Sequence, residues 1–212
     1  MSDHEAGDLR LEAGAKAPRW AWWVATGFGS GRLKPAPGTW GSLAALFAWC
    51  GFVALTVQPL VSLGLSHPDA AWSESLQWIG EVIFLLLPIL MTWIAVKASD
   101  LVVNETGLKD PGFIVADEWA GLWIALWALR WPLSRDLDFI FGHFTSGGWR
   151  ALPELLLPFL LFRLFDIWKP WPVRQIQALP GGAGVVADDV IAGLYAIPTS
   201  LLLMPLVSQL MR

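Results

Sequence analysis

From Pro35 to Pro68 the chain carries no Asp, Glu, Lys or Arg. A helix crossing a bilayer needs about 20 predominantly apolar residues, because the hydrocarbon core is about 30 Å thick and each helical residue advances about 1.5 Å. Gly38 to Pro59 therefore reads as a first span. Val82 to Val96, bounded by Glu81 and Lys97, reads as a second, with a kink predicted at Pro88. Val190 to Met211 is a third. Two shorter stretches admit two readings. Trp119 to Leu129 reaches membrane length only with Asp117 and Glu118 included, and Ala151 to Trp168 carries Glu154, Arg163 and Asp166. Each is either a short span with its charged end at headgroup level or a helix packed inside a bundle. The expected fold is all-α: a multi-helix integral membrane bundle of about five helices, three to five of them spanning.

Composition agrees. Hydrophobic residues make up 55% of the chain and charged ones 15%, against a soluble average of about 25% charged. Fifteen Trp suit membrane–water interfaces, where the ring is buried and the indole N–H stays wet. A net charge of −4 disfavours nucleic acid as a partner, since phosphate backbones are bound through excess Lys and Arg. The single cysteine, Cys50, excludes an internal disulfide and any multi-Cys metal site. It also has no Arg six residues on, so a Cys-dependent phosphatase loop is missing. Residues 1–19 are polar and of mixed charge, which suits a flexible N-terminal tail ahead of a single membrane domain over 20–212.

The loop charges suggest an orientation. Lys16, Arg19, Arg32 and Lys34 precede the first span, Lys97 and Lys109 follow the second, and Arg163, Lys169 and Arg174 precede the third. Ser66 to Ser75 has no Lys or Arg. The positive-inside rule places the three basic segments in the cytoplasm. The connection from Arg130 to Arg150, with three Arg, departs from that pattern.

All the unusual motifs fall on that same side. Gly27-Phe28-Gly29-Ser30-Gly31 is followed by Arg32, Lys34 and Pro37-Gly38-Thr39-Trp40-Gly41-Ser42. Closely spaced glycines can turn backbone N–H groups towards an anion, and a helix starting near Thr39 adds its positive end. A flexible loop leading into the first span explains the same residues. Next, Asp110-Pro111-Gly112 precedes Asp117-Glu118 and Gly121. Adjacent carboxylates entering an apolar helix are costly unless they are paired or bind a cation. Helix capping would explain one acid of the pair but not both. Gly121, four residues beyond Asp117, shares its face and permits another helix to approach closely. The pattern then recurs: Val115-Ala116-Asp117-Glu118 leads to Ala120-Gly121-Leu122, and Val186-Ala187-Asp188-Asp189 leads to Ala192-Gly193-Leu194. Two acid pairs at helix starts on one side suit a divalent metal, Mg²⁺ by the hardness of the oxygen ligands. Finally, Arg163 and Asp166 lie three apart in the run to Lys169-Pro170-Trp171-Pro172. They either pair with each other or, with Lys169, leave Arg163 to hold phosphate. His4, His67 and His143 fall outside these motifs, which argues against a phosphohistidine intermediate.

Taken together, the runs Gly27–Ser42, Asp110–Gly121, Arg163–Pro172 and Gly181–Gly193 resemble the phosphatidylglycerophosphatase A family. The likeness covers about a third of the chain, in the family's order and approximate spacing, and its most specific part is the Arg163–Pro172 run followed by the paired aspartates. It implies a helical membrane protein of the bacterial inner membrane that hydrolyses the terminal phosphate monoester of phosphatidylglycerophosphate with Mg²⁺, leaving phosphatidylglycerol. The family's acidic motif falls on Asp117 and Glu118, its paired aspartates on Asp188 and Asp189, and its arginine-to-lysine segment on Arg163, Asp166 and Lys169.

The expected chemistry has Asp117, Glu118, Asp188 and Asp189 holding Mg²⁺ at the cytoplasmic face, with Asp166 orienting Arg163 or completing the metal shell. The metal would polarise the phosphate and acidify an attacking water. Arg163, Lys169, Lys34 and the loop residues Gly29, Ser30, Gly31 and Thr39 would neutralise the phosphate oxygens. The lipid tails would stay among the membrane lipids. The alternative from another class is a non-catalytic divalent-cation transporter or channel, which would want its carboxylates near the bilayer midplane.

Overall fold

The computed structural model describes residues 16–129, 152–171, 173–177 and 179–210, and their regular structure is helix alone. The first fifteen residues of the expected tail, the arginine-bearing connection 130–150 and Met211, the last residue of the third expected span, lie outside the described residues. Among the described residues, eight α-helices follow one another: α1 (Arg19–Ala25), α2 (Pro37–Phe52), α3 (Gln58–Ser66), α4 (Ser73–Thr106), α5 (Ala116–Ala125), α6 (Leu152–Trp168), α7 (Val173–Ile176) and α8 (Gly181–Leu210). That exceeds the expected five for a local reason. Helices α2 and α3 run on through a π turn at Val53–Val57, and α1 and α7 are short. Pro59, in the first turn of α3, has no N–H to give Leu55 and its ring crowds that carbonyl, so the ladder widens just upstream. Thr56 Oγ1 donates to the Phe52 carbonyl at 2.6 Å within the widened turn.

Among the described residues, three helical segments are long and apolar enough to cross a membrane: Pro37–Gly64, Ser73–Thr106 and Gly181–Val207. Their outer faces carry bare apolar side chains, among them Phe47, Leu55, Leu86, Ile89, Leu202 and Leu206. In water such a band would be an aggregation surface; in a bilayer it is the lipid contact. The chain is a helical membrane protein. At 34 residues, α4 is about 50 Å long and outreaches a hydrocarbon core of about 30 Å. Its polar last turns, with Lys97, Asp100 and Glu105, therefore form the framework of one end of the bundle. The helix stops at Gly107, whose φ of 67° supplies the left-handed cap and whose N–H closes on the Val103 carbonyl at 2.8 Å.

Of the two ambiguous stretches, the first is decided by burial. Every residue of α5 from Trp119 to Ala125 is buried, so it is an interior helix, wrapped by α2, α4, α6 and α8. Leu122, Trp123 and Leu126 pack there with Trp49, Val53, Phe84, Phe159 and Phe162. Helix α6 shows two faces: Leu155, Phe159 and Phe162 turn inward, while Leu156, Leu160, Leu164 and Ile167 stand exposed.

The third span begins earlier than its apolar run suggests, at Gly181. Asp100 of α4 explains this: its Oδ1 accepts from the Gly182 N–H at 3.0 Å. A carboxylate from another helix thus caps α8 and meets its positive end. Asp188 and Asp189 consequently lie inside α8, Asp189 about 12 Å from its first residue, and not at its start. Asp117 and Glu118 do stand in the first turn of α5, as expected.

Candidate active site

The motifs meet where α5 crosses α8, with the start of α2 and the last turns of α6 beside them. Glycines set the spacing. A Cβ on Gly121 would collide with the Asp189 carbonyl and the Phe162 ring, and one on Gly193 with the Gly121 carbonyl. The expected close approach at Gly121 is therefore to its own counterpart in the second motif, and α5 and α8 cross backbone to backbone, as small residues permit between membrane helices. Ala95, Ala116, Ala120 and Val186 fill the same crossing. Asp117 precedes Gly121 by one helical turn, and Asp189 precedes Gly193 by the same interval, so both acids face across the contact.

The result is a group of three carboxylates. Ligand oxygens of Asp117, Glu118 and Asp189 all lie within 4.8 Å of one another. Asp188 points elsewhere: its Oδ2 accepts from Lys169 Nζ at 2.5 Å and from Gln177 Nε2 at 2.7 Å. Asp166 sits between the groups, with Asp189 on one side and Arg163 Nη1 donating to its Oδ2 at 2.7 Å on the other. Arg163 also reaches Ser42 Oγ at 3.3 Å and stands 3.9 Å from Glu118 Oε1. The pairing of Arg163 with Asp166 is thus real, but it is one edge of a larger net.

Five acids here (Asp117, Glu118, Asp166, Asp188 and Asp189) face two cations, Arg163 and Lys169. The side-chain oxygens Asp117 Oδ1, Glu118 Oε2, Asp188 Oδ1 and Asp189 Oδ2 are buried and without a hydrogen-bond partner. Buried carboxylate oxygens left bare are costly, and a divalent cation relieves both that cost and the mutual repulsion. The donor set is all oxygen, which suits a hard ion such as Mg²⁺. Lys169 lies outside the spans. Burial works against its charge, yet the hydrogen bond to Asp188 and the charges of Asp188, Asp189 and Asp166 raise its pKa above the ordinary lysine range. Its backbone is left-handed, φ 48°, at the point where α6 stops with Lys169 N–H on the Phe165 carbonyl at 2.8 Å. Lysine rarely adopts that conformation, and the strain buys the turn into Pro170.

The glycine-rich loop supports the acids from behind. A Cβ on Gly27 or Gly31 would strike Val115 or its neighbours, one on Gly41 would strike Val115, and one on Gly38 would strike the Glu118 carboxylate. The loop and the first turn of α2 thereby press on the start of α5. Ser30 Oγ donates to the Gly27 carbonyl at 2.7 Å, inside the loop. Gly29 has open space beside it, and Lys34 and Thr39 are exposed. Among the described residues, none of Gly29, Ser30, Gly31, Lys34 and Thr39 makes a hydrogen bond or ion pair with the acid group. Three further residues join the site that motif reasoning did not select. Ser42, which accepts from Arg163, and Gln177, which donates to Asp188, are neutral groups without a charge signal in sequence. Asp110, in the loop before α5, opens the second motif but carries no role in the sequence reading; partial burial and then the charge of Asp188 raise its pKa, while Lys169 opposes this.

The model of the phosphatidylglycerophosphatase A family matches residues 23–204. The chain belongs to that family. It is similar to phosphatidylglycerophosphatase A of Haemophilus influenzae, 33% identical over 175 residues covering 82% of each chain. It is also similar to phosphatidylglycerophosphatase A of Escherichia coli, 31% identical over 174 residues covering 82% of this chain and 77% of that one. No solved structure matches. The matched segment of this phosphatidylglycerophosphatase A family member contains all six acids and both cations of the site.

One exchange separates a mere ion pair from a functional net. Swapping Arg163 and Asp166 preserves their mutual attraction but sets a carboxylate beside Glu118, 3.9 Å from the present guanidinium. The doubly substituted protein is expected to lose activity by about 100-fold or more, given that each charge-assisted contact contributes about 1.5–3 kcal/mol. Rates measured against lipid surface concentration in mixed micelles check this; an active swap would make the pair structural.

Proposed function

We propose that the protein hydrolyses the terminal phosphate monoester of phosphatidylglycerophosphate, giving phosphatidylglycerol and inorganic phosphate, with Mg²⁺ at the cytoplasmic face of the bacterial inner membrane. The observation that carries this reading is the group of half-buried Asp117 and Glu118 and buried Asp189, with buried unpartnered oxygens, beside Lys169 and Arg163. Membership of the phosphatidylglycerophosphatase A family supports the substrate. The basic segments flanking the site support the cytoplasmic side. The transporter alternative finds no support in the family or in its relatives' names.

Asp117, Glu118 and Asp189 would hold the ion. Bound there, Mg²⁺ supplies positive charge that polarises a phosphate and acidifies a water. The chain's own groups do the rest. Lys169, kept charged and aimed by Asp188 and Gln177, donates to a phosphate oxygen. Arg163 acts as a positioning residue, holding Asp166 and Glu118 in register with Ser42. In the reaction the water oxygen bonds to phosphorus as the bond from phosphorus to the glycerol oxygen breaks. Asp188 Oδ1, buried and unpartnered, takes the water proton and passes it on to the departing glycerol oxygen, which leaves as the alcohol.

Purified protein in mixed micelles is expected to release inorganic phosphate from phosphatidylglycerophosphate with Mg²⁺ and to stop when the metal is chelated. No release, or release indifferent to chelation, counts against the reading. The side is read by a cysteine placed at exposed Gln175, which an impermeant thiol reagent should reach in inverted vesicles and not in intact cells.

A further inference from the structure

The turn from α6 to α7 encloses a second feature that the acid group does not use. A cleft of about 420 Å³ is lined by Trp168, Lys169, Pro170, Trp171, Arg174 and Gln175. Lys169 belongs to both places, its ammonium on Asp188 and its stem in the cleft wall. Arg174 is exposed and forms no ion pair among the described residues. Trp168 and Trp171 are 62% and 78% exposed, as rings are at the headgroup level of a bilayer. The turn is held in shape: Tyr195 Oη donates to the Trp171 carbonyl at 3.1 Å, and the Tyr195 ring meets Phe165 edge-on at 5.9 Å. Below the cleft, the exposed stripe Leu156, Leu160, Leu164 and Ile167 runs along α6 at helical spacing.

These features offer a place for each part of a phospholipid whose headgroup ends in a phosphate monoester: acyl chains, a phosphodiester, one glycerol and the monoester. The α6 stripe suits the chains, the acid group suits the monoester, and the cleft adjoins the acid group through Lys169, which the two share. A guanidinium in a cleft that it shares with two indoles and no acid suits a singly charged phosphodiester: Arg supplies forked N–H donors, and apolar ring surface suits the adjoining glycerol. We propose that Arg174, in one cleft with Trp168 and Trp171, forms a second subsite that binds the phosphodiester of the substrate lipid and so selects lipids carrying both phosphates. This rests on the function proposed above.

The test uses purified full-length protein with phosphatidylglycerophosphate in neutral detergent micelles, and inorganic phosphate as an inhibitor that fills the monoester position alone. Arg174→Gln is expected to raise KM about tenfold while kcat stays within about twofold, the weight of a charge-assisted hydrogen bond at an exposed site. Inhibition by inorganic phosphate should not change, and Arg174→Lys should recover part of the affinity. An unchanged KM overturns the subsite. So does a parallel loss of phosphate inhibition, which would put Arg174 at the monoester. If the loss appears only in anionic vesicles and not in neutral micelles, Arg174 holds neighbouring lipids, and the proposal also falls. Absence of phosphate release by the unsubstituted protein would instead remove the proposed function, and the subsite with it. Release with Arg174→Gln kinetics like the parent's removes the subsite alone.

Discussion

Asp189→Asn is expected to leave a folded membrane protein that releases phosphate about a thousandfold more slowly, the scale of losing a group that stabilises developing charge in a dry site. The substitution is nearly isosteric, and Asp189 is only 3% exposed, so packing is conserved while one charge and one hard ligand disappear. Stability should move in a telling direction. Without metal, the three carboxylates within 4.8 Å repel one another, and removing one charge should raise the unfolding temperature in chelator. With Mg²⁺, the parent protein gains stability in proportion to the ion's occupancy, whereas the variant should gain almost none. Asp188→Asn provides the contrast. Asp188 holds Lys169 and Gln177 and stands apart from the three-acid group, so the Mg²⁺-induced shift should survive while catalysis weakens. Equal loss of the shift in both variants would place Asp188 among the ligands. An intact shift in Asp189→Asn would remove it from them.

Gly121→Ala carries the other large effect, and it acts at a distance from any reacting atom. The added methyl would overlap the Asp189 carbonyl and the Phe162 ring. Neither can yield easily, because one is helix backbone and the other is a fully buried ring. The α5–α8 separation must therefore open, at about 1–3 kcal/mol for overpacking of a filled core. The same opening carries Asp189 away from Asp117 and Glu118. Misplacement of catalytic groups by about 1 Å can cost about 100-fold in rate, so activity should fall by more than stability alone accounts for. Gly51→Ala is the matched control. Nothing lies within 4 Å of a Cβ there, and alanine in a helix interior is favoured over glycine by about 1 kcal/mol. A Gly121→Ala protein as active as Gly51→Ala would mean that the crossing tolerates more space than its backbone contacts indicate.

The glycine-to-acid interval shows how close the sequence came to resolving the site. The two motifs look like copies, yet the second has one more residue between its acid pair and its glycine: Trp119 alone precedes Ala120-Gly121, whereas Val190-Ile191 precede Ala192-Gly193. Counting one helical turn back from each glycine selects Asp117 and Asp189, and leaves Asp188 rotated by about 100° onto another face. That count needs the crossing point, and only the fold supplies it. The glycine-rich loop illustrates the opposite case. Glycines that offer N–H groups to an anion and glycines that admit a neighbouring helix look the same in sequence; here Gly27, Gly31, Gly38 and Gly41 make room for Val115 and Glu118.

The long uncharged runs determined by themselves that this chain crosses a membrane, because the cost of a charge or a bare peptide group in hydrocarbon overrides any local preference. The acids entering apolar helices determined where the chemistry gathers, for the same reason. Tertiary structure decided what depended on two segments at once. It buried α5 inside the bundle, started α8 at Gly181 under the cap of Asp100, gave Asp188 to Lys169, and brought Ser42 and Gln177 to the site. Each of these is a contact between residues far apart in the chain, and its free energy exists only when both partners are in place. Periodicity reports one helix's preference for an apolar or polar surrounding; it carries no record of which other helix will provide it.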